Sequence, residues 1–229
     1  MREEIIGDCR LILGDCRDFL PNLLGFGAVV TDPPYGIGEA WGKAKGWQGS
    51  CGKGRLWNGD PGWDVAPDAD LFRQITQKPA IIWGGNYFPS LPTSKSWLIW
   101  DKCADMVQAH AELAWTNCAP SVRIYRKSPL GAFGNGGKNG ELKNHPTQKP
   151  IGLMEWCLEF VPDKAKIILD PFMGSGTTGV ACVNLRKAFI GIESDESYFD
   201  IACRRIEKAY EQPRLFAEPV VKAVQESLL

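Results

Sequence analysis

Apolar runs of four or five residues, bounded by Gly, Pro or Asp, recur along the chain and alternate with longer amphipathic stretches. Arg10-Leu11-Ile12-Leu13, Gly27-Ala28-Val29-Val30, Ala80-Ile81-Ile82-Trp83, Ser96-Trp97-Leu98-Ile99-Trp100, Lys166-Ile167-Ile168-Leu169 and Ala188-Phe189-Ile190-Gly191-Ile192 read as buried strands. Helices are expected over 16–24, 68–77, 151–161, 177–185 and 198–210, the first capped by Asp15. Leu153, Trp156, Cys157 and Phe160 mark the apolar stripe of the third. Two further strands, Glu112-Leu113-Ala114-Trp115 and Ser121-Val122-Arg123-Ile124-Tyr125, predict a terminal antiparallel hairpin. Strands alternating with helices predict an α/β fold around a mostly parallel sheet. A length of 229 residues suits a single domain over 1–229.

The periodicity fails in two places. Residues 36–63 are rich in Gly, Trp and Lys, and 131–140 are rich in Gly and Asn. Long stretches without a pattern are usually functional or disordered. The first carries Lys43, Lys45, Lys53 and Arg55 against one acid, Glu39, before Asp60. It reads either as a solvated excursion or as a flap whose cations meet phosphates, with Trp41, Trp47 or Trp57 beside a base. Over the whole chain charge is nearly balanced, at a formal −1, so a nucleic-acid partner must be met by such a local patch. Eight scattered cysteines and two histidines form no zinc-like spacing, and no metal is expected. The N-terminus lacks a signal-like apolar run and no stretch reaches membrane-spanning length, so the expectation is a reducing, cytoplasmic setting with no membrane partner.

Two motifs carry chemistry. The strand over 27–31 runs into Asp32-Pro33-Pro34-Tyr35. Proline fixes φ and biases the preceding residue toward extended backbone, so Asp32 and Pro33 are held stiff. The Asp32 carboxylate and nearby carbonyls face outward as acceptors, and Tyr35 offers a ring beside them. That suits a planar ligand with an amino group. The alternative is a proline turn with a solvated acid. The second motif follows the strand over 166–169: Asp170-Pro171-Phe172-Met173-Gly174-Ser175-Gly176-Thr177, then Gly179 in the next helix. Strand, glycine loop, helix, strand and a distal acid form a nucleoside-binding layout. Glu193 stands nineteen positions after Gly174, where an acid can hold ribose hydroxyls. The pattern alone leaves a dinucleotide and S-adenosylmethionine both open.

Together the two motifs resemble the amino-methyltransferases of DNA, and their order, Asp-Pro-Pro-Tyr first and glycine loop last, resembles the β class. His145-Pro146-Thr147-Gln148-Lys149-Pro150 is similar to that class's third block, and Gly14-Asp15-Cys16 to the segment near the cofactor adenine. Gly84-Gly85-Asn86-Tyr87-Phe88 and Trp100-Asp101-Lys102 resemble short phage-type members. The resemblance covers nearly all of the chain up to about Ala209.

It implies a Rossmann-like methyltransferase fold with circularly permuted motifs, and S-adenosylmethionine as methyl donor. The cofactor residues would be Asp15, Cys16, Asp32, His145, Thr147, Lys149, Asp170, Phe172, Gly174, Ser175, Gly176, Thr177 and Glu193. Lys149 reads equally as a partner of the cofactor carboxylate or as a solvated lysine, and His145 as a local hydrogen-bonding residue. The catalytic residues would be Asp32, Pro33, Pro34 and Tyr35. Asp32 and the Pro33 carbonyl accept the amino hydrogens of a flipped base, while Tyr35 stacks on it through its ring and not its hydroxyl. Asp in the first position, rather than Ser, resembles the adenine-N6 group more than the cytosine-N4 group. The implied partner is double-stranded DNA, contacted by loops over 36–63 and 128–144, with a second subunit helping if the loops do not suffice. Rival classes are a Rossmann oxidoreductase, a non-catalytic DNA-binding module and a methyltransferase acting on RNA or a protein amide. The first leaves Asp32 to Tyr35 unexplained and the second has no use for the glycine loop.

Overall fold

The computed structural model describes residues 2–37, 64–103, 109–128 and 148–211. They build one nine-stranded sheet from β1 (Arg2–Ile6), β2 (Cys9–Leu13), β3 (Ala28–Thr31), β4 (Ala80–Trp83), β5 (Ser96–Asp101), β6 (Ala111–Thr116), β7 (Arg123–Arg126), β8 (Ile167–Asp170) and β9 (Ala188–Glu193). The spatial order is β1-β2-β9-β8-β3-β4-β6-β5-β7. From β2 to β4 every pairing is parallel. The helices are α1 (Cys16–Phe19), α2 (Ala69–Ile75), α3 (Ile151–Leu158), α4 (Thr177–Asn184) and α5 (Glu196–Glu211).

Strands β3 and β4 are buried along their whole length, because helices cover both faces of the sheet. Successive side chains alternate between two cores. Ala28, Val30, Ile81 and Trp83 pack with α3, α4 and α5. Val29, Ala80 and Ile82 pack with Leu71, Phe72 and Ile75 of α2 and with Cys16 of α1. The chain turns one way from β8 into β9 and the other way from β3 into β4, so a crevice opens beyond the carboxyl ends of β8 and β3. Both motifs leave the sheet at that crevice.

The α/β fold with its mostly parallel sheet and antiparallel pair is as expected, with three differences. The antiparallel hairpin is formed by β5 and β6, not by 112–115 with 121–125. Strand β6 lies between β4 and β5, antiparallel to both, and β7 runs parallel to β5 at the sheet edge. Burial explains this: Ala114 and Trp115 are buried and sit between two neighbours, whereas most β7 positions are exposed and suit an edge. The crossing from β6 to β7 is fastened where Ala80 N donates to Asn117 Oδ1 (2.8 Å) and Ser96 Oγ to the Ala119 carbonyl (2.7 Å). Strand β1 has no counterpart in the apolar pattern. It is a charged edge strand, held to β2 by Arg10 against both Glu3 oxygens (2.9 Å each). The helix expected over 16–24 stops at Phe19 and continues as a 3-10 turn, Leu20–Asn22, where Pro21 interrupts the α ladder. Among the described residues no helix is long and apolar enough to cross a membrane.

Candidate active site

The glycine loop is built from backbone geometry and hydroxyls. Gly174 and Gly176 adopt φ of +51° and +79°, the left-handed region that favours glycine. A Cβ at Gly176 would come within 2.8 Å of Ala202 Cβ, while one at Gly174 would meet nothing within 4 Å. Gly176 therefore serves packing of α4 on α5, and Gly174 keeps the loop open toward the crevice. Glu193, at the end of β9, accepts from Gly174 N (2.9 Å) and Asp195 N (2.8 Å). Each carboxylate oxygen has a further lone-pair direction, so capacity for a sugar hydroxyl remains. Burial raises the Glu193 carboxyl above the usual range.

Asp170 turns inward. It accepts from Thr31 Oγ1 (2.7 Å), Phe172 N (3.1 Å) and Thr178 Oγ1 (2.6 Å). Burial outweighs these donors and pushes its carboxyl up to about 6. Its place is to tie the end of β3, next to Asp32, to the glycine loop and the first turn of α4. Ser175 and Thr177 also point into the protein. Arg205 of α5 donates to the Ser175 carbonyl (2.5 Å), Ser175 Oγ (2.9 Å) and Thr177 Oγ1 (3.1 Å).

Beside this loop lies a cavity of about 340 Å³, lined by Asp15, Cys16, Pro34, Phe172 and Glu193 among others. That volume is in the range of small-molecule sites, about 300–1,000 Å³. Asp15 caps α1 through Arg17 N (2.9 Å) and is paired with the Arg17 side chain. The open Gly174, the acid at the end of β9 and this cavity together fit an adenosine-containing group.

On the other side of the crevice, Asp32 is not a solvated acceptor. Its carboxylate is held from within: Lys149 Nζ donates to Oδ2 (2.7 Å) and the Tyr35 hydroxyl to Oδ1 (2.7 Å). Lys149 is buried, which excludes the solvated reading; its ammonium also reaches the Tyr35 oxygen (3.1 Å) and Glu112 Oε2 (3.0 Å). The second Glu112 oxygen is paired with Lys102 Nζ (2.5 Å). Four alternating charges thus run from the Asp32 to Tyr35 motif: Asp32, Lys149, Glu112 and Lys102. Burial pushes the Asp32 carboxyl up, Lys149 pulls against that, and Glu112 adds to the rise. Burial opposes the charge on Lys149, but Asp32 and Glu112 outweigh it and hold the ammonium well above its ordinary range. Glu112 also overcomes its burial: Lys149 and Lys102 bring it down to about 2.

The Tyr35 ring stacks on Tyr87 at 5.1 Å between centroids and meets Phe88 edge-on at 6.1 Å. Gly84, at φ +69°, lies against the ring; a Cβ there would fall 2.2 Å from Tyr35 Cε1. The hydroxyl is not idle, contrary to the ring-only reading, because it bonds both Asp32 and Lys149.

Of the expected site residues, Asp15, Cys16, Pro34, Phe172 and Glu193 share the cavity, and Asp32, Tyr35 and Lys149 form one cluster. Pro33 is buried between Asp32 and Pro34. Lys43, Lys45, Lys53, Arg55, His145 and Thr147 lie outside the described residues, as do Trp41, Trp47, Trp57 and most of 128–144. Next to Tyr35 in the chain, Gly36 N and Ile37 N donate to Asp64 (2.9 Å each). Glu112, Lys102 and Arg205 are new to the site. The signal for Glu112 was an acid inside an otherwise apolar strand.

Comparison with known proteins agrees with this geometry. A family model described as DNA methylase, of the N6/N4 methyltransferase family, matches residues 76–204. The Type II methyltransferase M2.MboI of Moraxella bovis is 48% identical over 61 residues, 27% of this chain and 22% of that protein. M2.DpnII of Streptococcus pneumoniae is 48% identical over 63 residues, 28% of this chain and 24% of that protein. The matched segments thus span about a quarter of these relatives. Among solved structures, the M1.HpyAVI–SAM complex matches with a TM-score of 0.54 at 23% identity, covering 86% of this chain and 98% of that one. PvuII DNA methyltransferase, described as cytosine-N4-specific, matches with a TM-score of 0.52 at 15% identity, covering 90% and 91%. At these identities the likeness to solved structures is one of fold.

Proposed function

The chain belongs to the N6/N4 DNA methylase family, and from that premise we propose that it transfers a methyl group from S-adenosylmethionine to the exocyclic N6 of adenine in double-stranded DNA. The observation that carries this is the placement of Asp32-Pro33-Pro34-Tyr35 at the end of β3, next to the glycine loop at the end of β8 in the same sheet edge. The open Gly174, the half-buried Glu193 and the cavity that Glu193 lines support a nucleoside-bearing cofactor, which when bound supplies an electrophilic methyl on sulfur.

An exocyclic amino nitrogen is a poor nucleophile, because its lone pair is delocalised into the base. To be reached in duplex DNA the base must leave the stack. Asp32, aimed by Lys149, whose charge favours the carboxylate form, accepts one amino hydrogen, and the Pro33 carbonyl accepts the other. This draws the nitrogen toward tetrahedral geometry and frees the lone pair. Tyr35 supplies a ring already braced by Tyr87 and Gly84. What remains is positioning and electrostatics, worth several orders of magnitude in rate. No covalent enzyme intermediate is needed.

The adenine assignment rests on Asp rather than Ser at position 32. Cytosine-N4 is the second reading, favoured by the fold shared with a cytosine-N4 enzyme. Incubation with labelled S-adenosylmethionine and duplex DNA, followed by digestion to nucleosides, tests both. N6-methyladenine is expected; N4-methylcytosine would move the assignment to the second reading, and no methylated base would end it.

A further inference from the structure

We propose that Glu112 is a positioning residue for methyl transfer: by neutralising Lys149 it leaves the negative charge of Asp32 available to the target amino group. This rests on the reading of Asp32 as the acceptor of that group.

Lys149 Nζ stands between two carboxylates, 2.7 Å from Asp32 Oδ2 and 3.0 Å from Glu112 Oε2. The three groups come from three distant parts of the chain: the end of β3, the segment before α3, and β6. Burying charges is costly, and apolar replacements of buried ion pairs are often neutral or stabilising. Stability is therefore a weak reason for the cluster, and its contact with the catalytic motif points to chemistry.

The charge count gives the reason. Asp32 with Lys149 alone would sum to zero, leaving a weak acceptor. With Glu112 the sum near the target is −1, and Lys102, paired to the far Glu112 oxygen, lies one step further away. During transfer the nitrogen lone pair forms the new carbon–nitrogen bond, and the pair of the broken carbon–sulfur bond stays on sulfur. The nitrogen carries positive charge until one amino proton passes to Asp32 and on to water. A net negative field at that nitrogen lowers the barrier. Without Glu112, the uncancelled ammonium opposes it.

Among the described residues, the charged or titratable groups facing Asp32 are Lys149, Tyr35, Glu112 and Asp170. Removing the Glu112 charge shifts the balance at Asp32 toward Lys149, so the pH at which Asp32 takes up a proton falls.

Glu112→Gln keeps the shape and an acceptor oxygen while removing the charge. Per S-adenosylmethionine-binding site, kcat should fall about 10- to 100-fold. KM for S-adenosylmethionine should stay within threefold, and the acid limb of the kcat profile should move to lower pH. Glu112→Asp keeps the charge and should recover part of the rate lost in Glu112→Gln. A Glu112→Asp variant as slow as Glu112→Gln, or an acid limb that does not move, overturns the proposal. If Glu112→Gln does not fold, Lys102→Met serves: it leaves Glu112 wholly to Lys149, so kcat should equal or exceed that of the wild type, and a tenfold fall overturns the proposal. Wild-type protein that methylates no DNA marks failure of the methyltransferase reading; full-rate transfer by Glu112→Gln marks failure of this inference alone.

Discussion

The two sides of the crevice are held in different ways. Around the glycine loop the structure uses backbone amides and hydroxyls: Gly174 N on Glu193, Thr31 and Thr178 on Asp170, and one guanidinium on Ser175 and Thr177. Around Asp32 it uses charge: two lysines and two carboxylates with few solvent contacts. A loop fixed by its own hydrogen bonds can receive a cofactor with little rearrangement. A charged cluster sets the field at one atom, which is what a reaction that moves positive charge onto nitrogen requires. On the proposed function, the division of labour is binding on one side and chemistry on the other.

The largest expected effect separates them. Asp32→Ala should lower methyl transfer to duplex DNA about 10³-fold or more, measured by label incorporation. Residual transfer near the wild-type rate would place the chemistry elsewhere.

The next effect is on stability. Asp170 holds its proton more tightly folded than unfolded, since burial raises it from 3.8 to about 6. Its contribution to stability is therefore full below about pH 4 and lost as pH rises to about 6, a change on the order of 3 kcal/mol for two pKa units. Asp170→Asn should remove that component from the stability–pH curve measured by denaturant unfolding. An unchanged slope would mean that Asp170 titrates normally.

Gly174→Val sharpens the binding side. It forces a left-handed φ on a branched residue, costing about 1–3 kcal/mol, and points its side chain into the crevice. S-adenosylmethionine affinity by calorimetry should fall about 30-fold. Binding at wild-type strength would put the cofactor elsewhere.

Tyr35 tests the border between the two sides. Tyr35→Phe removes one hydrogen bond to the ionised Asp32, worth about 1 kcal/mol or slightly more, so kcat should fall roughly 3- to 10-fold. Tyr35→Ala also removes the ring and should raise KM for DNA, by an amount like that of base stacking, about 1–3 kcal/mol. Equal losses in the two variants would remove the ring's separate role.

The binding side was legible in the sequence because its determinants are local. Strand, glycine loop, helix and acid lie within the stretch from Lys166 to Glu193, and their spacing encodes their geometry. The expected strands β3, β4, β8 and β9 all form, since each is a short apolar run buried on both faces. What was not legible is long-range. Lys149 meets Asp32 across 117 positions, and a lysine beside prolines looks the same whether solvated or buried. Arg205 reaches Ser175 across 30 positions from a helix whose polar face reads as solvated. The true hairpin partner of β6 was missed because pairing depends on which strands need two covered edges, and that is settled only by the whole sheet.

The most direct test is calorimetric binding of S-adenosylmethionine to Asp32→Ala. If cofactor binding belongs to the glycine-loop side, Kd stays within threefold of the wild type while transfer is lost. A Kd weakened tenfold or more would contradict the division between the two sides.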